Sequence, residues 1–441
     1  MFKKILSLLL VVVMCAGMCM ALASCSDDDN GYALTPVAKE SIKIGLITLH
    51  DENSTYDKNF LDAMDAAVAN LGLNKDTQLI VKKNIPESDE CYKAAAELVD
   101  AGCQVIFANS FGHEDFMMKA AAEFPEVQFC HATGTKAHTS VLPNYHNAFA
   151  SIYEGRFAAG VIGGIKLAEL KAQGKLTDAN YDENGNIKIG YVGAFPYAEV
   201  ISGYTSYYLG VKVGYTLATT NSAGGAKDAK IVMEVKYTNS WYDEAAEKSA
   251  AEALIGSGCA LMSQHADSYG APTACQAAGV PNVSYNGSTK SVGATTYLIS
   301  SKINWAPYYE LMVNAVIGGY KIQDEYCGGF AEGSVQLTEL NEAAFETEQY
   351  RSMAKSVAET PELMYSEVNS VFDSSLFTVK GETLKSYMAN VHDDAEFKGD
   401  TEVMKKVGEG EYAYYVFQES VFRSAPYFDI IIDGIKVPAA E

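Results

Sequence analysis

The chain is short of basic residues. It has 33 Lys and Arg against 56 Asp and Glu, a formal charge of −23 over 441 residues. So acidic a surface speaks against nucleic acid as a partner. None of the nine Cys falls in a Cys-x-x-Cys pair, and the seven His share no ligand spacing with them. The usual zinc patterns are therefore absent, and neither a metal nor a cofactor is expected. No Gly-x-Ser-x-Gly elbow occurs, which removes a common hydrolase signature. No glycine-rich phosphate loop follows an apolar run; the glycines at 160, 163 and 164 sit inside a helical pattern, where they allow close packing. The segment Asn180 to Gly185 has the oxygen spacing of a calcium loop, but its twelfth position is Tyr191, which has no carboxylate. It reads as an exposed turn leading into a strand. His265 and Asp267, flanked by Ser263 and Ser268, lie too close together on one loop for a base and its orienter. They suit a shared binding wall, so an enzyme is not expected.

The N-terminus carries Lys3 and Lys4, an apolar run from Ile5 to about Ala21, and then Leu22-Ala23-Ser24-Cys25. This resembles a bacterial lipobox, and the run is at the short limit for a membrane span. Residues 1–24 are expected to be a lipoprotein signal peptide. The Cys25 thiol is the expected lipid site, and 25–40 a polar tether holding the protein on the extracytoplasmic face of the cell membrane. Cys91, Cys103, Cys130, Cys259, Cys275 and Cys327 sit mostly in apolar or Ala-rich segments and read as buried free thiols.

From Ser41 onward, apolar strands alternate with helices. Strands are expected at 42–49, 78–83, 105–109 and 127–130, with helices at about 60–71, 89–101 and 116–124. After a long helix at 152–170 the rhythm restarts, with strands at 187–192, 230–237, 260–263 and 282–285. The expected class is α/β: two doubly wound parallel-sheet lobes joined by a hinge. Lobe 1 is assigned 41–150 plus about 289–325, and lobe 2 151–288 plus about 326–340. Residues 341–441 are expected to be an extension packing on the lobes. Crossovers are placed near 145–152, 288–300 and 320–330. Ligands of such sheets bind at the carboxyl ends of the strands, and the loops there are rich in aromatic, amide and acidic side chains. Trp241 (one of two Trp), Tyr56, Phe111 and Phe195 are candidate stackers, with plain packing as the alternative for each. Asp267, Asn286, Glu199 and Ser110 are candidate edge readers, and Asp267 could instead cap the helix that follows. His265 stands on the same wall, and Trp305 opens a returning helix.

Several segments arrive in a familiar order: Ser54-Thr55-Tyr56, Ala108–Asp115, Gly193–Val200, Ser240-Trp241-Tyr242-Asp243, Gln264–Ser268, Ser284-Tyr285-Asn286 and Asn304–Tyr309. Together, over about 41–340, they resemble the basic membrane protein family, the purine and nucleoside receptors of ABC importers. The resemblance implies a type I periplasmic-binding fold, a purine base or nucleoside in the cleft, and ABC permease subunits as partners. The chain departs from the family in two places. The loop Asn286-Gly287-Ser288-Thr289 lacks the carboxylate that grips ribose in many members, which leaves a free base or another solute open. The tail beyond about Leu340 is also long, with a charged stretch from Asp393 to Asp400. A receptor for a sugar or signalling molecule, an extracellular hydrolase and a surface adhesin are the competing readings.

Overall fold

The computed structural model describes residues 34–222, 224–366, 371–378, 404–410, 413–417, 419–420, 423–425, 428 and 430–438. Cys25, the signal peptide, residues 25–33 of the tether and the charged stretch at 393–400 lie outside the described residues. No helix of the described residues is long and apolar enough to cross a membrane.

The first lobe is a run of strand–helix units. Its strands are β1 (Ile44–Ile47), β2 (Leu79–Lys82), β3 (Val105–Ala108), β4 (Gln128–Ala132) and β5 (Tyr145–Ala150). Its helices here are α1 (Thr55–Asn70), α2 (Asp89–Asp100) and α3 (Glu114–Glu123). Helix starts follow the local chemistry: Ser54 accepts the Asp57 N–H at 3.2 Å and so caps α1. The first sheet has the order β11-β5-β4-β3-β1-β2 and is parallel throughout, β11 being Glu325–Gly328.

The second lobe begins with α4 (Ile152–Ala172). It continues through β6 (Ile187–Gly193), α5 (Ala198–Thr220), β7 (Ile231–Tyr237), α6 (Glu244–Gly256), β8 (Met262–His265), α7 (Gly270–Ala278), β9 (Asn282–Tyr285) and β10 (Tyr297–Ile303). Its sheet runs β12-β10-β9-β8-β6-β7-β13, with β12 (Val335–Leu337) antiparallel to β10 and β13 (Ile435–Lys436) parallel to β7. Helices α4 and α5 pack backbone against backbone. Gly160 faces the backbone of Tyr207, Gly164 that of Val211 and Tyr215, Gly210 that of Phe157, and Gly214 that of Val161. The four-residue spacing on both helices makes one continuous line of contact.

Two segmental expectations need correction, and a third gains detail: the chain crosses at Ser151, within 145–152, but residues 145–150 before it are strand β5, whose polar side chains hide its character. His146 bonds Gln128 (3.0 Å), and Asn147 donates to Glu114 (3.4 Å). Residues 297–303 belong to the second sheet, not the first lobe, because β10 pairs with β9. The chain therefore crosses at Asn304–Trp305, after which α8 (Ala306–Gly318) packs on α1 in the first lobe. Residues 325–328 belong to the first sheet, as β11 beside β5, and the chain returns through 329–334.

The described part of the C-terminal region is built into the second lobe. Helix α9 (Glu348–Glu359) contributes Ala354 and Val357 to that lobe's core, together with Phe372, Phe377, Phe417, Phe428, Ile430 and Ile435. The six Cys from Cys91 to Cys327 are free thiols, all buried except the half-buried Cys327. In the turn at 182–186 the Asp182 carboxylate accepts the N–H groups of Asn184 (2.9 Å) and Asn186 (2.8 Å), so it organises the turn itself.

Candidate functional site

The carboxyl ends of the two sheets enclose a cavity of ≈ 480 Å³, within the range usual for small-molecule sites. The first lobe supplies His50 after β1, Tyr56 and Asp57 from the first turn of α1, Ser110 and Phe111 after β3, Thr133 to Lys136 after β4, and Phe149 from β5. The second lobe supplies Tyr197 to Glu199 at the start of α5, Trp241 after β7, His265 and Asp267 at the end of β8, and Tyr285 at the end of β9. Arg423 completes the wall from the C-terminal region.

One side is aromatic. Phe195 stacks on Tyr197 (5.0 Å, 10°) and meets Trp241 edge-on (5.1 Å, 64°). Tyr197 and Trp241 line the cavity, while Phe195 touches both rings without lining it. Tyr56 lines the opposite lobe, but its hydroxyl donates to the Asn109 carbonyl at 2.6 Å, which leaves it only an acceptor for a ligand.

The polar groups are unevenly poised. Burial pushes the Glu199 carboxyl up to about 7, against the pull of the Arg156 and Arg423 charges. Asp267 is raised well above the usual carboxylate range, first by burial and then by Glu247, Asp57 and Glu199. His265 is held well below its ordinary value by burial and the Arg156 charge, so its ring is neutral. Arg156 is fully buried beneath these groups. It donates to the Tyr191 hydroxyl and the Gln264 carbonyl, and its guanidinium carbon lies 4.7 Å from the Tyr285 ring centre. Ser110 donates its hydroxyl to Glu87 at 2.6 Å, which leaves it only an acceptor for a ligand.

The lobes touch each other directly. Thr55 donates its N–H (3.2 Å) and hydroxyl (3.0 Å) to the Asp267 carbonyl. Asn59 donates to the Asn286 side chain at 3.0 Å. The His50 and Tyr242 rings are 5.5 Å apart.

Of the residues singled out from sequence, Tyr56, Ser110, Phe111, Glu199, Trp241, His265 and Asp267 line the cavity. Phe195, Asn286 and Trp305 do not. Asn286 is buried in a left-handed turn (φ +60) and bonded to Asn59, so it joins the lobes instead. Trp305 is 1% exposed and stacks on Phe60 at 4.6 Å, a core plug between α1 and α8. Sequence reasoning passed over Thr133, Lys136, Phe149 and Arg423. Thr133 to Lys136 follow β4, a strand that was recognised; the post-strand rule applied to its end would have found them.

A family model described as ABC transporter substrate-binding protein, PnrA-like, matches residues 44–363. The chain belongs to this PnrA-like family. The family consists of solute receptors rather than enzymes, and such receptors serve ABC permeases on the extracytoplasmic side. A purine-binding protein of Brucella abortus is 28% identical over 303 residues, covering 68% of this chain and 76% of its own. A protein of Haloferax volcanii named as an ABC transporter glucose-binding protein is 30% identical over 235 residues, 53% of this chain and 51% of its own. Among solved structures, ABC solute-binding proteins of Conexibacter woesei (16% identity, TM-score 0.53, 74% of this chain and 97% of that one) and Aeropyrum pernix (15%, 0.54, 75% and 90%) share the type I periplasmic-binding fold. In this PnrA-like receptor, Arg423 lies beyond the matched segment.

Proposed function

We propose that this receptor captures a purine, as the free base rather than the nucleoside, and delivers it to its ABC permease. The observation that carries the reading is the pairing, in one ≈ 480 Å³ cavity, of the Trp241–Tyr197 wall with the Glu199 and Asp267 carboxyls. A planar heterocycle needs aromatic faces and fixed polar groups around its rim. The purine-binding relative in Brucella supports the same ligand class. The free base is favoured because Asn286, in the loop that lacks a carboxylate, is turned away from the cavity and engaged by Asn59.

Titration of adenine, guanine and hypoxanthine across neutral pH tests this. A ligand that donates an N–H to Glu199 needs the ionised carboxyl, so its affinity should rise with pH and level off above about 7. Below that point the loss approaches about tenfold per pH unit, one proton being displaced. A ligand presenting a lone pair there should show the opposite slope, and Glu199→Gln should flatten both. Stoichiometric binding of no purine at any pH overturns the reading. A monosaccharide is the second reading, favoured by the Haloferax relative; mass spectrometry of the solute carried through purification separates the two.

We further propose that Cys25 carries a lipid anchor. Cys25→Ala should release the protein or leave it unprocessed; a mature-length variant that still fractionates with membranes contradicts this.

A further inference from the structure

The chain has three arginines, and the two that are buried both stand at the cleft. Arg156 lies under the floor and donates to the Tyr191 hydroxyl and the Gln264 carbonyl. Arg423 is in the wall itself, 5% exposed, and comes from outside the segment 44–363 that the family model matches.

Arg423 opens a turn at 423–425. Its own N–H donates to the Ser420 hydroxyl at 3.2 Å. The N–H groups of Ser420 (2.8 Å) and Ala425 (2.7 Å) both donate to one oxygen of Glu419. The turn is anchored in the second lobe, where Phe428 packs on Phe372 (4.2 Å) and Phe417 (5.3 Å). From that base the side chain reaches across the cleft: its guanidinium carbon is 5.9 Å from the ring centre of Phe149, a first-lobe strand residue that also lines the cavity. Its charge is felt by Glu199 in the same wall. The C-terminal region thus puts a cation beside the carboxyl proposed above to read the ligand rim.

The two groups are complementary to a particular pair of neighbouring ligand atoms. A guanidinium only donates, and a carboxylate only accepts. A 6-oxopurine offers an acceptor, O6, beside a donor, N1–H. Adenine offers the reverse, an N6 amino donor beside the N1 lone pair. We propose that Arg423 and Glu199 together read the O6/N1–H edge, so that the receptor selects 6-oxopurines over adenine. This rests on the purine reading above. Arg423 is the specificity-determining partner, because its donors pair with O6 and reject an amino group.

The experiment is calorimetric titration of hypoxanthine, 1-methylhypoxanthine and adenine against the wild-type protein, Arg423→Lys and Arg423→Gln. The wild type should prefer hypoxanthine to adenine by about ten- to a hundredfold, the discrimination usual for a well-matched polar pair on a base edge. It should also lose affinity for 1-methylhypoxanthine, which has no N1–H. Arg423→Gln should lose most of the preference by weakening hypoxanthine binding while adenine changes little. Arg423→Lys, which keeps the charge but not the planar fork, should fall between. The wild-type comparisons need no variant, so a folding defect in Arg423→Gln leaves the proposal testable. Equal wild-type affinity for hypoxanthine and adenine, or an equal loss for both in a folded Arg423→Gln, overturns the proposal and leaves the purine reading standing. Absence of binding by any purine removes both.

Discussion

Replacing Trp241 with Ala is expected to weaken purine binding by about one to two decades while the protein stays folded. Base stacking on an aromatic side chain is worth roughly 1–3 kcal/mol in single-stranded nucleic acid complexes, and Trp241 is half-buried with a face on the cavity. Its local structural duty is carried by the backbone: the Asp267 N–H donates to the Trp241 carbonyl at 2.9 Å, a bond that alanine preserves. Phe195 and Tyr197 remain stacked on each other without it. Calorimetry on Trp241→Ala and Asp267→Asn separates the face of the ligand from its edge. The first should weaken all purines alike. The second replaces a carboxyl whose pKa burial raises with an amide of the same size, which changes the donors and acceptors offered to the ligand edge and should change the rank of the purines. Unchanged affinities in a folded Trp241→Ala would assign Trp241 to packing alone and move the site elsewhere.

The largest loss of stability is expected from the smallest substitution, Gly164→Ala. An added methyl would sit 2.6 Å from the Tyr215 amide nitrogen, and closer still to the Val211 carbonyl oxygen. Those atoms are helix backbone and cannot rotate aside, so α4 and α5 must move apart. The shift opens the contacts on either side, at Gly160 and along Gly210 and Gly214, since they share one line of approach. Overpacking of this kind costs about 3 kcal/mol or more where nothing flexible can yield. Gly256→Ala provides the control. That helical glycine has nothing within 4 Å of an added methyl, and removing its backbone freedom should stabilise the chain by about 0.4–1 kcal/mol. Urea denaturation should therefore give midpoints shifted in opposite directions. A Gly164→Ala midpoint equal to the wild type would mean that the two helices do not touch along this line.

The sequence disclosed those parts of the fold whose burial is apolar. Val105–Ala108 and Ile187–Gly193 are buried runs of strand-forming residues, bounded by turns, and their ends lead to the cleft. Strand β5 was hidden because His146 and Asn147 look like loop residues; their burial is compensated by partners on other elements, a relation no local pattern records. The polar Ser263-Gln264-His265 hid the true end of β8 in the same way, so the strand continues two residues past its expected end. Asn286 and Trp305 were misplaced for a different reason. Each follows a strand, as a ligand-binding residue should, but the loop after β9 and the crossover after β10 turn toward the opposite lobe. Only the three-dimensional path separates a residue that faces the cavity from one that joins its walls. Arg423 had no signal at all: it ends no recognised strand, and its place in the cleft depends on packing among Phe372, Phe417 and Phe428.

The direct bridges between the lobes bear on how a transporter distinguishes a loaded receptor from an empty one. Thr55 to Asp267 and Asn59 to Asn286 can form without any solute. Hydrogen bonds of this sort are worth about 0.5–1.5 kcal/mol each, net of the water they displace. Every increment they add to closure is shared by occupied and vacant molecules, so it cannot sharpen the difference between them. Only contacts made through the solute do that. Strengthening the bridges would therefore raise apparent affinity while presenting more vacant, shut receptors to the permease. The economy of this seam sets the fidelity of the import cycle.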